Sequence, residues 1–254
     1  MAPAPQPFIW YDVMAPDMRL AEQFYAAALG WRAADAGVAG MEYDILFSGE
    51  QPVGGIMPAP PGFVLPPMWT GYIHSPDVDG DARRAAEAGG TVFQDPLDIP
   101  GVGRFAVIAD PGGALFSIFQ PAGGAPMAQA SFTAASHVGW HDLRAGDGEA
   151  AWEFYSKLFG WVTTETMEAM PGVPYRMFVT GSEQAGGMMT MRPGVTAAHW
   201  TFFFNTDAID AAAARIEKAG GTVTLAPMEV PGGQWIIEAR DPHGAGFGLL
   251  ADRR

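Results

Sequence analysis

The chain is written twice. Asp17 to Trp31 reads DMRLAEQFYAAALGW and Asp147 to Trp161 reads DGEAAWEFYSKLFGW, an offset of 130 residues. Seven residues before each leading Asp stands Trp-x-Asp, as Trp10 and Asp12, then Trp140 and Asp142. Ala88-Gly-Gly-Thr-Val92 returns as Ala219-Gly-Gly-Thr-Val223, and Asp110-Pro-x-Gly113 as Asp241-Pro-x-Gly244. Motifs repeated in the same order at offsets of 130 and 131 residues are a tandem duplication, so each half must fold by the same rules.

A chain of 254 residues divides into two domains of roughly 125 residues, each large enough to bury a core without metals or disulfides. The expected boundaries are 1–120 for the first copy, 121–135 for a small-residue linker (PAGGAPMAQASFTAA) and 136–254 for the second. Hydrophobic residues make up 48% and charged residues 17%, against about 25% charged on average, which excludes disorder. The net charge of −14 lacks the basic footprint that nucleic acid or an anionic membrane surface requires. With no cysteine, disulfides, thiolate metal sites and cysteine nucleophiles are excluded. The start, MAPAPQPFIW, has neither the basic end nor the apolar run of a signal peptide, and the expected location is cytoplasmic. The expected partner is a small molecule, bound by a monomer or homodimer.

In each copy an alternating segment (Phe8 to Met14; Val138 to Arg144) reads as a strand. A helix follows, opened by Asp17 or Asp147 as N-cap and closed by Gly30 or Gly160. Strands are expected at Tyr43 to Ser48 and Val53 to Met57, with counterparts at Tyr175 to Thr180 and Ala185 to Thr190. After a Pro-rich link, Pro58 to Pro67, another strand begins (Thr70 to His74; Thr201 to Asn205), then a helix and three more strands. Each copy thus reads as two strand–helix–strand–strand–strand modules.

Trp-x-Asp, then FY-x-x-x-(L/F)-GW, AGG-T-V and DP-x-G-A, in that order and twice, resemble the vicinal oxygen chelate superfamily, in its two-domain glyoxalase-like branch. The resemblance implies an α+β fold of tandem domains, four βαβββ modules forming two half-open cups around ligand cavities. In metal-using relatives, up to four side chains inside a cup hold one divalent ion. By spacing, those places fall on Trp10, Gly55, Thr70 and Ser117 in the first copy, and on Trp140, Gly187, Thr201 and Gly248 in the second. None is His, Asp, Glu or Gln. A shift of one residue at Thr201 gives Trp200, and of two gives His199. No metal and no cofactor is therefore expected.

Strand alternation puts Asp12 on the face of Trp10 and Asp142 on the face of Trp140. If the tryptophans line the cups, each cup holds an indole beside a carboxylate able to act as general acid or base. The alternative is that the carboxylates only tie down the strand. The expected ligand-binding residues are Trp10, Trp140, Thr70, Tyr72, Ser117, Thr201, Phe203 and His199, with Asp12 and Asp142 as candidate catalytic groups. Tyr43 and Tyr175 recur near the repeat offset, as do Gly54-Gly55 and Gly186-Gly187. The leading expectation is a metal-independent protein for a small apolar or aromatic molecule, and, as an enzyme, a lyase or isomerase. Two alternatives stay open: a metal-dependent lyase (lactoylglutathione lyase type) or dioxygenase, and a pure binding protein of the resistance type.

Overall fold

The computed structural model describes residues 5–38, 40–58, 66–124, 130–181, 183–191 and 197–254. Most of the Pro-rich link (59–65) and part of the linker (125–129) lie outside them. The first module is β1 (Phe8–Met14), α1 (Met18–Leu29), β2 (Arg32–Asp35), β3 (Asp44–Ser48) and β4 (Gln51–Met57). The second is β5 (Met68–His74), α2 (Val78–Glu87), β6 (Thr91–Ile99), β7 (Gly103–Ala109) and β8 (Leu115–Pro121). The third is β9 (Val138–Ala145), α3 (Gly148–Phe159), β10 (Val162–Met170), β11 (Val173–Val179) and β12 (Gln184–Thr190). The fourth is β13 (His199–Asn205), α4 (Ile209–Lys218), β14 (Thr222–Glu229), β15 (Trp235–Arg240) and β16 (Gly246–Ala251).

The caps act as their residue types dictate. The Asp17 carboxylate accepts from the Leu20 N–H at 3.0 Å, and Asp147 from those of Glu149 and Ala150. Gly30 and Gly160 close α1 and α3 at φ 74° and 69°, left-handed conformations that only glycine adopts without strain. Two strands escape the sequence reading, β2 and β10. Both follow directly on the glycine cap and Trp31 or Trp161, with no turn residues to announce them.

Each copy supplies one eight-stranded sheet, in the orders β2-β3-β4-β1-β5-β8-β7-β6 and β10-β11-β12-β9-β13-β16-β15-β14. Within every module the last three strands form an antiparallel meander. The first strand joins the last in parallel, as β1 with β4, β5 with β8, β9 with β12 and β13 with β16. Such parallel pairing requires a crossover, and each helix is that crossover. This is the α+β, four-module fold expected. No helix among the described residues is long and apolar enough to cross a membrane.

The compact units are composed differently from the sheets. One comprises Met1–Trp10, Gly71–Gln129 and His141–Trp200; the other comprises Tyr11–Thr70, Ala130–Trp140 and Thr201–Arg254. Each unit therefore unites one helical module from each copy, α2 with α3 and α1 with α4.

The unit holding α1 and α4 is built around Tyr25, which is fully buried. Trp31 stacks on it with ring centroids 5.6 Å apart. The Trp69 indole N–H donates to its hydroxyl at 2.9 Å, and that hydroxyl donates to Asp241 at 3.1 Å. Asp241 in turn accepts from the His243 and Ala245 backbone N–H groups, both at 2.9 Å. The unit holding α2 and α3 repeats the arrangement. Trp161 stacks on buried Tyr155 at 5.1 Å, Trp200 donates to the hydroxyl at 3.0 Å, and the hydroxyl donates to Asp110 at 3.3 Å. Asp110 accepts from the Gly112 and Ala114 N–H groups at 2.8 and 2.9 Å. The FY, GW and DP-x-G motifs are thus core-building devices.

Candidate functional site

The buried aromatic cores fix the side each strand turns to the helices. On β5, Trp69 faces Tyr25, so alternation turns Thr70 and Tyr72 to the other side. On β1, Tyr11 meets Phe202 and Phe204, ring centroids 5.2 and 6.4 Å away, which leaves Trp10 and Asp12 on the helix-free face. On β9, His141 stacks on Phe8 at 4.3 Å, and Phe8 packs on Trp161. Trp140 and Asp142 are then turned away from the helices. By alternation Trp10 thus shares a face with Asp12, and Trp140 with Asp142.

In the unit of α1 and α4, Asp12 is 4% exposed and its Oδ1 accepts a hydrogen bond from the Tyr43 hydroxyl at 2.6 Å. That length belongs to hydrogen bonds onto charged oxygens. Asp12 faces Gly55 across the β1–β4 ladder. A Cβ on Gly55 would lie 1.9 Å from the Tyr43 hydroxyl oxygen and 2.4 Å from Asp12 Oδ1. Glycine is required here because the phenol and the carboxylate fill the space in front of it. Thr70 is buried in the same unit. So are Thr201 and Phe203, and the Phe203 ring covers Gly248. A Cβ on Gly248 would stand 2.2 Å from it. Trp140 is half-buried.

In the unit of α2 and α3, Asp142 is likewise 4% exposed, and it faces Gly187 across the β9–β12 ladder. The Tyr175 ring occupies the place of a Gly187 side chain, 2.2 Å from where its Cβ would be. The partner differs, however. Asp142 Oδ2 meets the Arg144 guanidinium, while Oδ1 is buried without a hydrogen-bond partner among the described residues. The position equivalent to Arg144 in the first copy is Met14. Tyr72 is half-buried and pairs in register with Ser117, whose buried hydroxyl has no partner among the described residues. Trp10 is half-buried.

His199 stands exposed at the start of β13, its ring against the Ala197 carbonyl at 3.0 Å. His141 is fully buried, and its Nδ1 donates to the Ala185 carbonyl. Burial pulls its pKa down to about 4, so its ring is neutral at physiological pH. Burial also lowers His74 and His137.

The places that the resemblance assigns to metal ligands carry no His, Asp, Glu or Gln side chain. Trp, Gly, Thr and Ser or Gly stand there, and three of the glycine places (Gly55, Gly187 and Gly248) are covered by aromatic rings. No group of three or more His, Cys, Asp and Glu residues converges among the described residues. A cavity of about 380 Å³ opens elsewhere, lined by Asp98, Arg104 and Gln120 among others. The Arg104 guanidinium is taken up by Asp79 and Asp98, and none of the candidate site residues lines this cavity.

The two side chains that meet these carboxylates, Tyr43 and Arg144, have no role assigned by sequence spacing. Tyr43 was visible only as a tyrosine recurring near the repeat offset. Arg144 sits two residues beyond Asp142, where a strand brings a side chain back to the same face.

Residues 135–249 match the model of the Glyoxalase/Bleomycin resistance protein/Dioxygenase superfamily, and residues 9–119 that of a glyoxalase-like domain. A protein of Mycobacterium tuberculosis named "Putative glyoxylase CFP32" is 33% identical over 248 residues, spanning 95% of this chain and 93% of its own. The "Anthracycline biosynthesis protein DnrV" of Streptomyces peucetius is 32% identical over 267 residues, spanning 97% and 94%. Among solved structures, the Mn(II)-bound glyoxalase of Novosphingobium aromaticivorans superposes with a TM-score of 0.64 at 16% identity, covering 99% of this chain and 83% of that one. The homoprotocatechuate 2,3-dioxygenase of Brevibacterium fuscum, in complex with 3,4-dihydroxyphenylacetate, gives 0.69 at 15% identity, covering 100% and 83%. At these identities the structures share the fold.

Proposed function

Because the chain belongs to the glyoxalase/bleomycin resistance protein/dioxygenase superfamily, we propose that it uses the family scaffold without a metal, to bind and transform a small, largely aromatic organic molecule. One observation carries this reading. The Tyr43 ring stands where a Gly55 side chain would project, the Tyr175 ring at Gly187 and the Phe203 ring at Gly248. A ligand side chain grafted at any of these places would collide with a ring, so the space is committed to aromatic packing. Apolar and aromatic walls with a few polar groups are the make-up of an organic-ligand site. The name of the Streptomyces relative, anthracycline biosynthesis protein, supports an aromatic ligand, since anthracyclines are fused aromatic polycycles.

A second reading, binding without chemistry, is favoured in the second copy alone, where Asp142 is tied to Arg144. The first copy's Asp12, held by a neutral phenol, is the group suited to proton transfer.

The test is elemental analysis of protein dialysed against chelator, together with titration of an aromatic probe before and after that treatment. The expected result is substoichiometric metal and unchanged probe affinity. Tightly held, near-stoichiometric metal whose removal abolishes probe binding would overturn the reading.

A further inference from the structure

The Asp12 carboxylate is sealed within its unit, whereas Tyr43, the phenol bonded to it, is half-buried. The 2.6 Å contact between them is a charge-assisted hydrogen bond. Both groups rest on Gly55, where even a methyl group would strike each of them. The second copy does not reproduce this contact. There the equivalent oxygen, Asp142 Oδ1, has no partner among the described residues, although Tyr175 covers Gly187 as Tyr43 covers Gly55. A purely structural pairing of phenol and carboxylate would be expected in both copies of a duplicated scaffold.

We propose that Tyr43 is a catalytic residue, the outer member of a proton relay with Asp12 that deprotonates an acidic C–H between the ring and the carbonyl group of an α-aryl ketone. This rests on the organic-ligand reading above and adds the substrate class and the step. The substrate C–H bond breaks and its proton goes to the Tyr43 hydroxyl oxygen. The proton already on that oxygen passes to Asp12 Oδ1. The electron pair stays with the substrate and spreads onto its carbonyl oxygen as an enolate. Return of the proton to the same carbon gives exchange, and its return to another position gives an isomer. No oxidant or reductant enters.

A carbon acid is the fitting substrate because hydroxyl protons equilibrate with water unaided, whereas carbon-bound protons require a positioned base. An α-aryl ketone suits because its ring and its carbonyl group together delocalise the charge left on the carbon between them.

The experiment uses the whole protein with 2-tetralone in D2O. Loss of the α-proton signals by NMR reports the relay, and saturation transfer to the aromatic protons reports binding separately. Wild-type protein is expected to accelerate exchange above buffer. Tyr43→Phe, which keeps the ring over Gly55, should lower that acceleration by about 100-fold or more with saturation transfer intact. Asp12→Asn should do the same. Should Asp12→Asn fail to fold, Tyr43→Phe decides alone. Binding without accelerated exchange, or exchange that survives Tyr43→Phe, overturns the relay while leaving the ligand reading standing. Absence of binding overturns both.

Discussion

The Tyr25 hydroxyl donates to Asp241, 216 residues further along the chain, and Tyr155 makes the matching bond to Asp110. The helix motif of each copy is therefore completed by the DP-x-G turn of the other. Sheets follow the duplication, but the cores are reciprocal, so neither copy contains all the partners of its own motifs. Burial and the neighbouring carboxylate hold both phenols well above the usual tyrosine range, and burial raises Asp110. These hydroxyls serve as fixed hydrogen-bond donors.

Tyr25→Phe and Tyr155→Phe should each destabilise the protein by about 1–3 kcal/mol, because each leaves a buried carboxylate short of a donor and an indole N–H short of an acceptor. Urea unfolding with unchanged slope and a lowered midpoint is the measurement. Equal losses from the two variants are expected, since the two arrangements match. A wild-type midpoint for either would show that the bond contributes nothing.

His141 makes stability depend on acid. Its pKa is about 4 in the fold, against about 6.5 when unfolded. Between those values the unfolded chain binds the extra proton, so stability falls as pH drops from about 6.5 to about 4, by roughly 3 kcal/mol in all. His141→Gln should flatten this part of the stability–pH curve. Melting temperatures across the range for both proteins provide the check, and an equally steep fall in the variant would assign the loss to other groups.

Much of the fold was legible because the duplication made each motif visible twice, and because Asp17, Asp147, Gly30 and Gly160 mark helix ends by local chemistry alone. The faces of Trp10, Asp12, Thr70 and Tyr72 also followed from alternation. What sequence spacing does not carry is partnership. Tyr43 and Asp12 lie 31 residues apart, and their contact depends on how β3 and β4 return beside β1. The reciprocal pairing of Tyr25 with Asp241 is equally hidden, because a repeat pattern is the same whether a module packs within its own copy or on the other. Arg144 is the exception, because a cation two residues beyond Asp142 shares its strand face, and the first copy has Met14 there.

Gly248→Ala should cost about 1–3 kcal/mol by forcing a methyl group into the Phe203 ring, 2.2 Å from its Cβ position. Phe203→Ala alone should cost about 3–5 kcal/mol as a buried aromatic deletion. If contact with the ring is the reason for the glycine, Gly248→Ala in the Phe203→Ala background should cost almost nothing. The double-mutant cycle, read from denaturant midpoints, isolates that coupling. Additive losses would mean that another neighbour, or the backbone itself, requires the glycine.

Arg144 and Asp142 form the ion pair that sets the second copy apart. The Asp142 side chain is 5% exposed and that of Arg144 31%, so the cation reaches water while the anion does not. Arg144→Met, which copies Met14 of the first copy, leaves a buried carboxylate without its counter-charge and should destabilise by about 1–3 kcal/mol. Adding Asp142→Asn to that variant removes the stranded charge and should recover most of the loss, whereas Asp142→Asn alone leaves the arginine free to turn to solvent. Stabilities of the three variants at neutral pH, by chemical denaturation, test this order. If Arg144→Met is as stable as wild type, the guanidinium does not hold Asp142 in place, and the asymmetry between the copies must come from Tyr43 and Tyr175 instead.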